Sequence, residues 1–172
     1  MTPSTLGISV ADTASLTETL GRLAGIRLDI GCGRNKQNGW FGIDFQALPG
    51  VDCVHDLTVF PWPLPDECAT VAVASHVVEH IPPHNLGFVK FMNEVWRVLK
   101  PGGEFAITTP HGASPGYIQD PTHCNPCNEN TWWYFTKEHP FYNFYTPRPW
   151  QIKYLAWDYN VNLDVVLIKD AL

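Results

Sequence analysis

Residues 26–33, Ile-Arg-Leu-Asp-Ile-Gly-Cys-Gly, give the clearest indication of the fold. An apolar run that ends directly in a Gly-Cys-Gly turn predicts a buried strand and a tight turn, because glycine accepts positive φ and lets the backbone approach a ligand closely. With only two glycines, the loop is not the full dinucleotide-binding motif. A second strand is expected at residues 40–44, and its last residue, Asp44, could accept both hydrogen bonds from a ribose diol. The alternative is an ordinary strand and turn with Asp44 on the surface.

The rest of the chain alternates between expected strands and crossovers. Further strands are expected at residues 51–57, 70–75, 104–109, 152–157 and 163–168, and helices at residues 14–23 and 85–100. This order predicts an α/β fold with a mostly parallel sheet and a late antiparallel pair. Open sheets of this kind bind ligands beyond the carboxyl ends of their strands, so the loops at those ends are the candidate site.

Composition narrows the class of protein. The chain has 172 residues, of which 45% are hydrophobic, enough for one domain with a substantial core. Its net charge of −6 argues against a surface that follows nucleic-acid phosphates. No apolar run approaches the ~18 residues of a membrane span, and no secretory signal is recognisable before Arg22. Because the cysteine count, five, is odd, we expect reduced thiols and a cytoplasmic location.

Five short motifs follow one another at residues 28–33, 42–44, 55–57, 75–81 and 96–103. In this order they resemble the class I S-adenosylmethionine-dependent methyltransferases, closely over residues 26–110 and loosely in the tail. The resemblance implies a Rossmann-like class I methyltransferase fold, with a mostly parallel seven-stranded sheet and a late antiparallel strand. It implies a single methyltransferase-like domain over residues 1–172 that uses S-adenosylmethionine. Its expected parts are an N-terminal helix or extension, a cofactor-binding half, an aromatic substrate cap and C-terminal strands, at residues 1–25, 26–109, 110–150 and 151–172.

The resemblance also implies a cofactor site. Asp44 is expected to bind the ribose hydroxyls, and Asp56, with the backbone of Leu57, to lie beside the adenine amino group. The full set expected to contact the cofactor is Asp29, Gly31, Cys32, Gly33, Asp44, Phe45, Asp56, Leu57 and Ser75. Only ten residues separate Gly33 from Asp44, whereas a nucleotide-binding βαβ unit places its acid about 20 residues on. The first crossover helix must therefore be shortened or replaced by a loop at residues 34–39.

A second constellation is His76-x-x-Glu79-His80, followed later by His123. If residues 76–81 form a helical turn, the first three side chains share one face, and the loop after the fifth strand is expected to return over the same edge. The four residues could hold a divalent metal. Their spacing resembles metal-dependent small-RNA 2′-O-methyltransferases, with His76 in place of an acid, which favours zinc, iron or manganese. The alternatives are acid–base work or pocket shaping by His76, His80 and His123, and purely structural histidines.

Residues 110–150 are rich in aromatic side chains and proline. Asp120, Trp132 and Trp133 are the candidate substrate contacts in this cap. The aromatic side chains could line a pocket for a planar or apolar acceptor, stack on single-stranded nucleic acid, or form a satellite core under a long loop. The single Cys124-x-x-Cys127 pair does not make a zinc site.

Together, these features predict an S-adenosylmethionine-dependent methyltransferase that acts on a nitrogen or oxygen acceptor. A small-molecule acceptor is the first expectation, and metal-assisted 2′-O-methylation of nucleic acid is the second. The alternative from another class is a non-catalytic, cofactor-binding regulatory module. No membrane partner is expected, and the sequence leaves the oligomeric state open.

Overall fold

The computed structural model describes residues 25–170, so the helix expected at residues 14–23 lies outside the described residues. Seven strands are described: β1 Ile26–Ile30, β2 Phe41–Asp44, β3 Cys53–Val54, β4 Ala69–Ser75, β5 Leu99–Pro110, β6 Trp150–Trp157 and β7 Asn162–Lys169. The helices are α1 Gly87–Val98, α2 Pro115–Ile118, α3 Glu129–Trp133 and α4 Tyr142–Tyr145, and single 3-10 turns lie at Val78–His80 and His84–Leu86. No helix among these residues is long and apolar enough to cross a membrane.

The strands form one sheet in the order β3-β2-β1-β4-β5-β7-β6. Strand β7 runs antiparallel to both of its neighbours, and every other neighbouring pair is parallel. This arrangement confirms the predicted α/β, Rossmann-like class and its late antiparallel strand. The direction of strand addition reverses between β1 and β4, and such a switch point opens a crevice at the carboxyl ends of the two strands.

The core lies on the face of the sheet that α1 covers. Phe105 and Ile107 of β5 point to this face, and Phe91, Met92 and Val95 of α1 are completely buried against it. Each such side chain contributes about 1.5–3 kcal/mol when it is removed from water. The packed face therefore fixes β4 and β5 with respect to α1, and with them the loops at the carboxyl edge.

The crossover between β1 and β2 has no helix among its described residues. Residues 31–40 form turns and irregular backbone, so a loop replaces the expected first crossover helix. The third strand is also shorter than the predicted range 51–57, because Asp56 turns the chain by accepting hydrogen bonds from the backbone N–H and the hydroxyl of Thr58.

Helix α1 begins and ends inside its predicted range of 85–100. Asn85 and Leu86 have φ of 54° and 59°, so regular helix starts only at Gly87. A Cβ at Gly87 would collide with the carbonyl oxygen of Pro82. The helix ends at Val98 because Leu99 is already extended and begins β5, five residues before the predicted start of that strand.

Candidate active site

The glycine loop follows β1 at the switch point. Gly31 and Gly33 have φ of 64° and 52°, a region that side chains rarely occupy. A Cβ at Gly31 would collide with Val77, so this glycine permits close packing against the loop after β4. A Cβ at Gly33 would meet no atom within 4 Å, so the backbone here borders open space. The loop is therefore tightly held at one glycine and accessible to a ligand at the other.

Asp44 ends β2 and connects that strand to the glycine loop. Its Oδ2 accepts the backbone N–H of Gly33 at 2.8 Å, and its Oδ1 accepts that of Gln46 at 2.9 Å. Each carboxylate oxygen has a second lone pair that can still accept a hydroxyl. The next residue, Phe45, is 67% exposed and presents its ring to solvent. The carboxylate is thus fixed in place at the carboxyl edge and retains acceptor capacity.

Asp29 and Cys32 are buried beside the glycine loop. Asp29 Oδ2 accepts the backbone N–H of Gln37 at 2.8 Å, which ties the crossover loop to β1. Burial raises the pKa of Asp29, and the Gln37 hydrogen bond and the charge of Lys36 lower it in part. Burial, and then the charges of Asp29 and Asp44, raise the pKa of the Cys32 thiol to about 11. Cys32 is therefore a neutral packing residue at pH 7.

The remaining expected cofactor residues lie at the same edge. Asp56 follows β3 and uses its Oδ1 to close the turn with Thr58, whose N–H and hydroxyl lie at 2.9 and 2.7 Å. Leu57 is buried next to it, and Ser75 is the exposed last residue of β4. All three residues thus occupy the ends of strands or the loops directly after them.

The loop after β5 is hydrogen-bonded to the turn after β4. The backbone N–H groups of Cys124 and Asn125 donate to the carbonyl oxygen of Glu79 at 2.9 and 3.0 Å. This contact brings the ring of His123 against that of His80, with 4.8 Å between the ring centroids. One potential ligand atom from each of Glu79, His80 and His123 lies within 4.8 Å of the other two.

His76 lies outside this cluster, although the sequence predicted a four-residue metal set. It follows β4 with a φ of 55°, and the turn begins only at Val78, so His76 does not share a helical face with Glu79 and His80. Its Nδ1 lies 3.3 Å from Glu79 Oε1. The described residues that converge are therefore three instead of four, with His76 beside the carboxylate alone.

Thr109 is a site residue that the sequence analysis missed. Its hydroxyl donates to Glu79 Oε2 at 3.0 Å, and both side chains are fully buried. The available signal was the alternation of β5, because Thr109 continues the buried face formed by Phe105 and Ile107. A hydroxyl on such a face requires a partner, and here the partner is the carboxylate.

The sequence predicted that Trp132 and Trp133 both contact substrate, but only one of these side chains is accessible. Trp132 is completely buried, and its ring packs edge-on against Phe88 with 6.1 Å between centroids. It is a core residue and cannot contact an acceptor in this conformation. Trp133 is 48% exposed, and the Asp120 carboxylate is exposed beside His123.

Comparisons with known proteins agree with this architecture. Residues 46–107 match the family model described as a methyltransferase domain. This match covers 62 of the 172 residues, and over them the chain is similar to a methyltransferase domain. A comparison with curated proteins gives no match.

Solved structures of methyltransferases share the fold of this chain over most of its length. A SAM-dependent methyltransferase from Archaeoglobus fulgidus is 17% identical, with a TM-score of 0.61 over 91% of this chain and 92% of that one. One from Methanosarcina mazei is 16% identical, with a TM-score of 0.60 over 87% and 94%. The 1,6-didemethyltoxoflavin-N1-methyltransferase from Burkholderia thailandensis, solved with 1,6-didemethyltoxoflavin and S-adenosylhomocysteine, is 12% identical, with a TM-score of 0.59 over 92% and 77%.

The family match and the glycine loop are independent observations. Residues 46–107 begin after Asp44 and therefore exclude the loop and the carboxylate that holds it. The open space at Gly33 and the spare lone pairs of Asp44 nevertheless fit a nucleoside with a ribose diol. The residues present at this edge are thus compatible with S-adenosylmethionine.

Proposed function

We propose that this protein is a methyltransferase that binds S-adenosylmethionine at the carboxyl ends of β1 and β2 and methylates a nitrogen or oxygen of a small molecule. The observation that supports the proposal is the hydrogen bond from Gly33 to Asp44, which joins an open glycine loop to a carboxylate that can still accept the hydroxyls of a ribose. In this site, Asp44 accepts the ribose hydroxyls and Gly33 lies against the cofactor. The other residues proposed to contact or border the cofactor are Asp29, Gly31, Cys32, Phe45, Asp56, Leu57 and Ser75.

The chemistry requires little covalent assistance from the protein. S-adenosylmethionine supplies a methyl group on a positively charged sulfur, and the reaction is an in-line displacement. The main task of the chain is to hold the acceptor atom about 3 Å from the methyl carbon, which contributes several kcal/mol. Gly33 and Asp44 would hold the cofactor half of this alignment. The loop after β4 and the cap would hold the acceptor.

A histidine at this edge would accept a proton where the acceptor begins protonated. His76 is half-exposed, and its Nδ1 lies 3.3 Å from the buried Glu79 carboxylate. The two atoms are close but form no hydrogen bond, so the ring nitrogens of His76 remain available to an acceptor. His76 is therefore the first candidate for this role, ahead of His80 and His123, which face each other.

A small acceptor is supported by charge and by one relative. The chain carries a net charge of −6, and Lys137 and Arg148 are the only lysine or arginine residues in the cap, at residues 110–150. The Burkholderia relative is named for methylation of 1,6-didemethyltoxoflavin, a small molecule. Asp120 and Trp133 are the proposed acceptor contacts. Methylation of nucleic acid, a non-catalytic role and the cytoplasmic location stay predictions.

Titration calorimetry with S-adenosylhomocysteine tests the proposal directly. We expect saturable binding with one ligand per chain. When S-adenosylmethionine and a suitable small acceptor are supplied instead, we expect the methyl group to pass to the acceptor and S-adenosylhomocysteine to form. No binding at high micromolar ligand concentration would refute the proposal. Binding without turnover over a panel of nitrogen and oxygen acceptors would favour the non-catalytic alternative.

A further inference from the structure

Two loops at the carboxyl edge bring a buried carboxylate against two imidazoles. We propose that Glu79, His80 and His123 bind one divalent transition-metal ion of the type that prefers nitrogen ligands, with Zn²⁺ as the reference ion. A ligand atom from each side chain already lies within 4.8 Å of the other two. A bound ion would draw these atoms to the spacing of about 3 Å that metal–ligand bonds near 2.0–2.1 Å require.

The carboxylate has one oxygen that the protein leaves without a partner. Glu79 is fully buried, and its Oε2 accepts the hydroxyl of Thr109. No hydrogen-bond donor among residues 25–170 reaches its Oε1. His76 Nδ1 lies 3.3 Å away, but it does not have hydrogen-bond geometry. A buried carboxylate oxygen without a donor is costly, and a cation bound to it would remove this cost.

Hydrogen bonds fix the tautomers of both imidazoles. The Thr122 hydroxyl donates to Asp120 Oδ1 at 2.7 Å, so its oxygen must accept the proton on His80 Nδ1, which lies 3.2 Å away. His123 Nδ1 donates to the carbonyl oxygen of Tyr117 at 2.9 Å. In a neutral imidazole with the proton on Nδ1, Nε2 carries a lone pair that can bind a metal ion. Such a second hydrogen bond is the usual way in which proteins orient a histidine ligand.

Among the described residues, neither Nε2 of His80 nor Nε2 of His123 forms a hydrogen bond. The nearest carboxylate, that of Asp120, lies 3.7 Å from His123 Nε2, which is too long for a hydrogen bond. Two neutral imidazoles and one carboxylate suit zinc and iron better than magnesium or calcium, which prefer oxygen ligands. Three protein ligands leave open coordination positions, as in metal sites that also bind a small molecule.

The loops hold this geometry through contacts that are independent of an ion. The backbone N–H groups of Cys124 and Asn125 donate to the carbonyl oxygen of Glu79, and the Asn125 side chain donates to the carbonyl oxygen of Val78. The ligand-bearing segments are therefore joined on both sides of Glu79. A site with such support binds metal without first having to order its loops.

The test is Zn²⁺ binding to the full chain, produced without an affinity tag and freed of metal with a chelator. Competition with a chromophoric chelator is expected to give one ion per chain, whereas Mg²⁺ does not compete. Glu79→Gln, His80→Ala and His123→Ala should each weaken Zn²⁺ binding by about 100-fold or more, since even loss of a residue that only orients a ligand costs about 10- to 100-fold. The control His84→Ala, an exposed histidine outside the cluster, should bind as the wild type does. Less than half an ion per wild-type chain would refute the site, as would unchanged affinity in His80→Ala.

Two further measurements separate ligand loss from misfolding. His80 is exposed, so His80→Ala is expected to retain the circular dichroism spectrum and melting temperature of the wild type. Co²⁺ added to the wild type should give visible absorption bands that Zn²⁺ abolishes, and a spectrum equal to that of free Co²⁺ would overturn the proposal. His76→Ala should stay within about threefold of the wild-type affinity, which is under 1 kcal/mol. A loss as large as that of His80→Ala would overturn the three-residue ligand set.

Failure of the metal site can be distinguished from failure of the proposed methyl transfer. S-adenosylhomocysteine binding is expected to be unchanged by chelator, because Asp44 and the glycine loop use no residue of the cluster. A chain that binds Zn²⁺ but no S-adenosylhomocysteine would refute the proposed function and support the metal site. The reverse result would refute the metal site alone.

Discussion

The assignment of Asp44 to the cofactor ribose predicts a specific loss that depends on the ligand. Asp44→Ala would leave the N–H groups of Gly33 and Gln46 without their acceptor, so a fall in affinity could come from loop disorder alone. Asp44→Asn keeps the size of the side chain and one acceptor oxygen. The informative measurement is therefore a cycle that combines Asp44→Asn with removal of a ribose hydroxyl from the ligand.

The expected loss of affinity follows from the number of hydrogen bonds between the ribose and Asp44 that are lost. A hydrogen bond to a charged group contributes about 1.5–3 kcal/mol, and each 1.4 kcal/mol is about tenfold in affinity. The 2′-deoxy analogue of S-adenosylhomocysteine should thus bind the wild type about 10- to 100-fold more weakly than S-adenosylhomocysteine itself. In Asp44→Asn this difference should shrink to about threefold or less, because the charged acceptor is absent.

Titration calorimetry on four combinations of protein and ligand measures this difference. Asp52→Asn is the matched control, because Asp52 also accepts a backbone N–H, that of Gly42 at 2.7 Å, but precedes β3. The control should keep the full penalty for the deoxy analogue. If Asp44→Asn also keeps the full penalty, the ribose binds elsewhere and the role given to the end of β2 is wrong.

Three further predictions test the packing that supports the site. Gly31→Ala should destabilise the fold by about 1–3 kcal/mol because of its positive φ and the collision with Val77, and Val77→Ala should recover part of the loss in denaturant titrations. At pH 8, a thiol reagent should modify only Cys124 rapidly, because it is exposed and the other four thiols are buried, with pKa values raised to about 11 or 12; all five should react after unfolding. Glu94→Ala should cost about 1–3 kcal/mol in the free energy of unfolding, because it leaves the buried backbone N–H of Trp62 without its acceptor and removes one of the carboxylate partners of Arg97. A loss below about 0.5 kcal/mol would contradict the importance of these contacts.

Local patterns predicted much of the fold. The bounds of β1 were predicted without error, and α1 was found within its range, because an apolar run and a 3.6-residue period are properties of neighbouring residues. The early start of β5 was not predictable in this way. Leu99 is drawn into the strand by pairing with Ala69, and such a distant contact leaves no local signal.

In the candidate site too, features that depend on neighbouring residues were predictable, and features that depend on tertiary structure were not. Asp44 was placed correctly at the end of a strand, because that position depends only on the strand itself. The exclusion of His76 from the cluster depends on its positive φ, and the helical spacing of the motif gave no indication of this. The burial of Trp132 depends on Phe88, which is far away in sequence, so an aromatic cap and an aromatic core look alike in the chain.

The cap also restricts where acceptor specificity can arise. At one end, Trp132 and Phe135 pack on Phe88, with 6.1 and 5.6 Å between ring centroids, so replacing them disrupts the core. At the other end, residues 124–125 are hydrogen-bonded to the turn that carries Glu79. We therefore expect substitutions of the exposed residues Ile118, Gln119 and Asp120 to change the choice of acceptor at little cost in stability, and substitutions at Trp132 to reduce stability first. Two substitutions separate these effects. Asp120→Asn should alter turnover and leave the melting temperature unchanged, whereas Trp132→Phe should lower the melting temperature. A normal melting temperature for Trp132→Phe together with lost turnover would contradict this division of the cap.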